Sequence, residues 1–202
     1  MIWEDFENRI LEFVKSRMES DPVHGIDHVL RVVRLCLLIG KEEGADLDVL
    51  IPAAYLHDVA RKDEEERGMD HAAEGARIAG DFLREIGYPR DKIAPIEYAI
   101  RVHRFRSEEE PRTLEAKILK DADMLDALGA IGIYRVVSFS CRSGRGIGET
   151  IEHLREKILR LPSLMSTEAA KRIAVERVRI VEEFVKRLEK EAAPHTGEPS
   201  GV

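Results

Sequence analysis

The stretch that most limits how this chain can fold is Val49-Leu50-Ile51-Pro52-Ala53-Ala54-Tyr55-Leu56, an almost wholly apolar run that ends on His57-Asp58. It reads as a helix sunk in a core, and it delivers an imidazole and a carboxylate into that core. Burying the two side by side costs several kcal/mol, roughly, unless a partner satisfies them. A divalent cation is the natural partner, because neutral imidazole and ionised carboxylate are both metal ligands. Two more candidates stand far off in sequence: His28, in His24-Gly25-Ile26-Asp27-His28-Val29-Leu30-Arg31-Val32, and Asp123, in Lys120-Asp121-Ala122-Asp123-Met124-Leu125-Asp126.

The order His28, then His57-Asp58, then Asp123, each on a helical segment, resembles the HD superfamily of metal-dependent phosphohydrolases, from His24 to about Val137. The stretch Asp121-Ala122-Asp123-Met124-Leu125-Asp126-Ala127-Leu128-Gly129-Ala130-Ile131-Gly132 is similar to the small stand-alone members. The resemblance implies an all-α HD-type helical bundle. It also implies a nucleotide or nucleoside triphosphate substrate, cut at a phosphomonoester or a pyrophosphate bond. Carried over from the family motif, the third segment's ligand is Asp123, the aspartate after Ala122.

The residues themselves give a compatible chemistry. Two histidines and two carboxylates form a mixed nitrogen and oxygen set, which suits one Mn²⁺, Fe²⁺, Co²⁺, Ni²⁺ or Zn²⁺ ion. Four protein ligands on an octahedral ion leave two positions open, and a water there has its pKa lowered towards ~7 and becomes a nucleophile. Asp126, one turn beyond Asp123, is expected to support the ion from outside or to hold its water. Asp27 and Asp121 are expected on the surface.

Periodicity fills in the rest. Trp3, Phe6, Ile10, Phe13 and Val14 mark a first amphipathic helix that stops near Ser20-Asp21-Pro22. A second runs from about Ile26 to Glu43, closed by Gly44. Asp46 or Asp48 caps the third, where Pro52 is tolerable only near the start. Arg61 to Gly68 reads as a charged loop. Helices follow over Asp70–Ile86, Arg90–His103, a Thr113-capped segment carrying Asp123, Ile131–Phe139, Glu149–Arg160 and Thr167–Glu191. Cys141 to Gly148 reads as a flexible loop, with Arg142 and Arg145 as candidate lid contacts. In the last helix Ala174, Val178, Val181, Val185 and Leu188 form a stripe for the body or for a second copy in a homo-oligomer. The expected organisation is one helical domain over 1–192 and a disordered tail over 193–202, with His153 and His195 exposed.

Charge and composition bound the partners. A formal charge of −7 opposes an extended nucleic-acid surface. No uncharged apolar run approaches the ~18 residues of a membrane span. With an acidic start and only two cysteines, a cytoplasmic protein is expected.

Phosphate chemistry also needs cations, since charge gathers on the non-bridging oxygens. Arg61 and Lys62, directly after the His-Asp pair, are candidates for catalysis and substrate binding together with Asp58 and Asp126. His103 and Arg104 are candidate substrate contacts, with His103 ranked above His71. Two departures from relatives stand out. Arg61 occupies the position where similar HD nucleotidases carry a glutamate acid or base, a role that Asp63 or Glu64 could take over. The extra His-His pair of the two-metal branch is missing, which disfavours a binuclear site. The expected activity is metal-dependent hydrolysis of a small phosphate ester. Its rival is a metal-containing nucleotide sensor without turnover.

Overall fold

The computed structural model describes residues 3–18, 21, 23–105, 107 and 109–193, without the side chains of Trp3 and Glu65. Ser20 and Pro22 of the expected helix stop, Arg106 and Glu108, and the tail from Pro194 with His195 lie outside the described residues. Among the described residues there is no strand, and the fold is all-α. The order is α1 (Trp3–Arg17), α2 (Ile26–Glu43), α3 (Leu47–Leu56), α4 (Arg61–Arg67), α5 (His71–Glu85) and α6 (Arg90–Val102). It continues with α7 (Leu114–Asp126), α8 (Gly129–Arg142), α9 (Ile147–Glu156), a 3₁₀ segment (Ile158–Leu164) and α10 (Glu168–Ala192).

α3 is the hub. Every residue from Val49 to Leu56 is buried, and α1, α2, α6 and α7 pack round it. Asp46 caps it, its side chain accepting from the Asp48 amide. Pro52 lies in the interior of the helix and cannot donate to the carbonyl of Asp48, four residues back. The hydroxyl of buried Tyr88 donates to that carbonyl instead, at 2.7 Å. α1 closes the same core: Ile10 and Val14 are fully buried, and Phe13 stacks on Phe82 with centroids 3.8 Å apart.

Several expectations need correction. Arg61 to Arg67 is a helix, ended by Gly68 at φ 66. Its charged residues pair along it, Arg61 with Glu64, Lys62 with Glu66 and Arg67 with Asp63. A helix stitched by such pairs has no apolar stripe to betray it. α8 runs on to Arg142, so the expected loop shrinks to a turn, and Arg142 pairs with Asp21. α9 stops at Glu156, and the chain tightens into the 3₁₀ segment that holds Pro162. Asp121 is buried, not on the surface. Its carboxylate accepts from the Ser166 and Thr167 amides (2.9 and 2.8 Å) and from the Thr167 hydroxyl (2.7 Å), anchoring the start of α10.

Ala174, Val181 and Val185 of α10 are buried against the body of the same chain. Cys36 and Cys141 are free thiols. Among the described residues no single helix is long and apolar enough to cross a membrane.

Candidate metal centre

The backbone delivers His57 and Asp58 in an unexpected way. α3 ends at Leu56, His57 is its C-cap, and residues 57–60 form a turn. His57 keeps helical dihedrals (φ −59, ψ −33), so the two side chains leave the backbone about 100° apart and meet at their tips. His28 reaches them from the first turn of α2, and Asp123 from α7. His28 Nε2 lies 3.3 Å from His57 Nε2, 3.3 Å from Asp123 Oδ1 and 3.6 Å from Asp58 Oδ2. His57 Nε2 is also 3.6 Å from Asp58 Oδ2. Donors bound at about 2.0–2.2 Å on adjacent corners of an octahedron would sit about 3 Å apart, so little adjustment is needed to hold an ion.

The histidine tautomers point the same way. His57 Nδ1 donates to Ala54 O at 2.7 Å and His103 Nδ1 to Ile100 O at 2.6 Å. A carbonyl only accepts, so both rings carry their proton on Nδ1 and present a bare Nε2 lone pair inward. His28 Nδ1 donates to Asp126 Oδ2 at 2.7 Å, and His71 Nδ1 faces Glu64 Oε2 at 2.8 Å. Ligand imidazoles are oriented in this way by carbonyls and carboxylates. Asp58 Oδ2, His71 Nε2 and His103 Nε2 are buried without a hydrogen-bond partner among the described residues. Such orphaned acceptors cost about 1–3 kcal/mol each unless a cation or a donor meets them. The donor set fits a divalent metal.

Asp58 stands between two groups of donors. Its Oδ2 faces His28 and His57. Its Oδ1 lies 3.6 Å from His71 Nε2 and 3.7 Å from His103 Nε2, and it accepts from Arg61 Nε at 2.9 Å. Both groups, His28-His57-Asp58 and Asp58-His71-His103, have spacings that suit a metal ion.

The local field favours the ligand protonation state at three of the four side chains and opposes it at His28. Burial pushes the His57 pKa down to about 4. Burial by itself would raise Asp58, but Arg61 and His57 outweigh it and hold the carboxyl well below its usual range. Asp123 is lowered too, because hydrogen bonding to His28 and the charge beside it outweigh burial. His28 is raised: burial works against its protonation, yet the bonds to Asp123 and Asp126 prevail.

Behind His28, Asp126 accepts from Arg31 through both oxygens (2.6 and 2.9 Å) and from Arg135 Nη1 at 2.8 Å. In front, a hollow of about 50 Å³ is lined by Arg17, Met18, Asp21, His24, Asp58, Arg61 and Lys62. A larger one of about 200 Å³ adjoins it, sharing Arg17, Met18 and Lys62, but it does not reach the ligands. Arg17 ties α1 to the ligand turn, donating to Val59 O at 3.0 Å and to Asp63 at 2.8 Å. His24 is held over the hollow by a turn in which Asp21 Oδ1 accepts from the Val23 and His24 amides. Gly25 is required there, since a Cβ would lie 2.4 Å from Asp21 O.

The HD domain family model matches residues 25–128, about half of the chain and all of the proposed ligands. The chain belongs to the HD domain family. This HD domain is 32% identical over 176 residues to the protein YpgQ of Bacillus subtilis, covering 83% of this chain and 84% of that one. The fold is similar to the crystal structure of a predicted HD superfamily hydrolase from an uncultured Thermotogales bacterium, at TM-score 0.72 and 35% identity, covering 93% and 94% of the two chains. It is also similar to YpgQ in complex with ADP, at TM-score 0.75 and 28% identity, covering 93% and 98%. These relationships make it one of the HD superfamily hydrolases.

Of the residues singled out in the sequence, the HD fold brings His28, His57, Asp58, Asp123, His103 and Arg61 together. Lys62 stands at the rim of the hollow, 51% exposed. Arg104 is not brought to the ligands; it pairs with Asp70 at 2.8 Å and Glu64 at 3.3 Å. His71 was ranked below His103, yet it sits equally deep. Its place at the start of a helix, just after a charged segment, hid it. Glu64 was singled out only as a stand-in acid or base, not as the partner of His71, and Arg31, Arg135, Arg17 and His24 gave no signal, because each acts through a contact distant in sequence or across a turn.

Proposed function

We propose that this HD domain hydrolyses a phosphoester or pyrophosphate bond of a nucleotide, with one divalent transition metal ion held by His28, His57, Asp58 and Asp123. The observation that carries the reading is the shared space: Asp58, on which the other donors converge, lines one hollow with the cations Arg61, Lys62 and Arg17. A divalent ion bound there polarises a phosphoryl oxygen and acidifies water.

The chain's own residues supply the rest. Asp58 and Asp123 stay ionised and His57 stays neutral, so these three ligands are ready near neutral pH, whereas His28 has to give up a proton that Asp123 and Asp126 favour. Arg61, braced by Asp58 and Glu64, and Lys62 at the rim are placed to offset charge on the non-bridging oxygens as the bond to phosphorus breaks. Asp126 acts through His28, whose Nδ1 it holds at 2.7 Å, and so serves as a positioning residue. The nucleotide part of the reading draws on the similarity to YpgQ, whose structure holds ADP. Free Cys36 and Cys141 are compatible with a cytoplasmic enzyme.

The test is a panel of nucleoside mono-, di- and triphosphates and a generic phosphodiester, offered to metal-loaded protein in ¹⁸O-water. Release of labelled phosphate or pyrophosphate that depends on the ion is expected. Tight nucleotide binding with no turnover of any member would favour a sensor instead.

A further inference from the structure

We infer that the Arg61 guanidinium stands in the charge position of a second divalent ion, so that it closes a ready-made second donor set and keeps the centre mononuclear. The inference rests on the reading of His28, His57, Asp58 and Asp123 as the first ion's ligands.

The second set is Asp58 Oδ1, His71 Nε2 and His103 Nε2. The histidine nitrogens lie 3.6 and 3.7 Å from the carboxylate oxygen, and all three residues are at most 1% exposed. Both imidazoles have Nδ1 engaged, by Ile100 O in one case and by Glu64 in the other. Their bare Nε2 lone pairs, like Asp58 Oδ2, are orphaned acceptors. A lone pair cannot receive a phosphate oxygen, which is itself an acceptor; it receives a cation or a donor hydrogen. The Glu64–His71 pair is the carboxylate–histidine arrangement that orients metal ligands. By chemistry and spacing, this is a metal site.

Arg61 is set against it. Its Nε donates to Asp58 Oδ1 at 2.9 Å, the oxygen a second ion would need. Its Nη1 donates to Glu64 Oε2 at 3.1 Å and lies 3.3 Å from His71 Nδ1. The guanidinium therefore grips the bridging carboxylate and the carboxylate that orients His71. It cannot shed its charge, so a second dication would have to displace a fixed cation or bind beside it. Arg61 is thus the residue that sets the ion count, and the sequence offers it directly, three positions after Asp58.

The experiment counts ions. Wild type, Arg61→Met, Arg61→Gln and the double variant Arg61→Met/His103→Gln are loaded with excess Mn²⁺ and freed of unbound ion. Each is then measured by elemental analysis and electron paramagnetic resonance, with helicity checked by circular dichroism. About one ion per chain is expected in wild type and about two in Arg61→Met and Arg61→Gln, with the broadened signal of a carboxylate-bridged pair. The double variant should return to about one. Two ions in wild type, or one or fewer in both folded Arg61 variants, overturns the inference. So does a double variant that keeps two, since His103 would then be no ligand. A wild type with no ion at all contradicts the His28–His57–Asp58–Asp123 centre itself, a separate failure that takes this inference with it.

Discussion

At the residue scale, Asp126 is the most informative side chain outside the proposed ligands. It holds His28 by its Nδ1 and neutralises Arg31 and Arg135 behind it. Asp126→Ala frees the His28 ring and leaves two arginines facing each other without an acceptor. Divalent ion affinity, read by calorimetric titration, is expected to fall about 10- to 100-fold. Unchanged affinity would remove Asp126 from the support of the centre. A second expectation concerns pH in the metal-free protein. Burial lowers His57 to about 4 and His24 to about 3, against about 6.5 in the unfolded chain. Between these values the folded state binds fewer protons than the unfolded one, so their contribution is complete above about 6.5 and is lost as pH falls towards 4. For His57 alone the shift corresponds to roughly 3 kcal/mol. His71 is lowered as well, by burial and then by Arg61. His28, raised by its bonds to Asp123 and Asp126, acts oppositely: its contribution is full below 6.5 and lost as pH rises. Asp58 and Asp123, both lowered, lose theirs only below the ordinary carboxylate range. The lowered histidines outnumber the raised one, so the melting temperature should drop from pH 7 to pH 4.5. A rise over that interval would contradict this balance.

At the scale of elements, two glycines in helices make contrasting expectations. A Cβ on Gly132 would lie 2.1 Å from the carbonyl of Ala127, which belongs to the tight turn from α7 into α8. Backbone cannot swing aside, and Gly132→Ala is expected to cost at least about 1–3 kcal/mol in chemical denaturation. A Cβ on Gly80 meets the ends of two flexible side chains, the Glu97 carboxylate and the Arg84 guanidinium that pairs with it. Both can move, and alanine gains up to about 1 kcal/mol of helix propensity, so Gly80→Ala should be within about 1 kcal/mol of wild type. Equal costs at the two positions would refute the packing described. Tyr88→Phe should cost about 1–3 kcal/mol, because it removes the buried hydroxyl that donates to the Asp48 carbonyl where Pro52 cannot. The same elements show what was legible in the sequence. α1, α2, α5 and α6 were readable from apolar spacing and caps, since their buried stripes alternate with solvated faces, and α3 from its unbroken apolar run. α4 was not, because its stability lies in charge pairs. The three aspartates of α7 could not be separated by their surroundings in the sequence. Asp121 and Asp123 point about 200° apart on one helix, and only the packing shows that the first anchors α10, the second faces His28, and Asp126 supports His28 from behind.

At the scale of the whole molecule, the all-α bundle converts five separated stretches of sequence into one concave, cation-rimmed centre. The order His28, His57-Asp58, Asp123 was enough to foresee that centre. The inner pair His71 and His103 and their link to Arg61 needed the packing of α5 and α6 against the turn after α3. What the molecule does depends on whether that centre holds an ion. The decisive measurement is the divalent metal content of wild type, His57→Ala and Asp58→Ala, each loaded in parallel, desalted and analysed elementally. Wild type should retain about one ion per chain, and both variants, still helical, should lose it. Full occupancy in both variants would contradict the centre described.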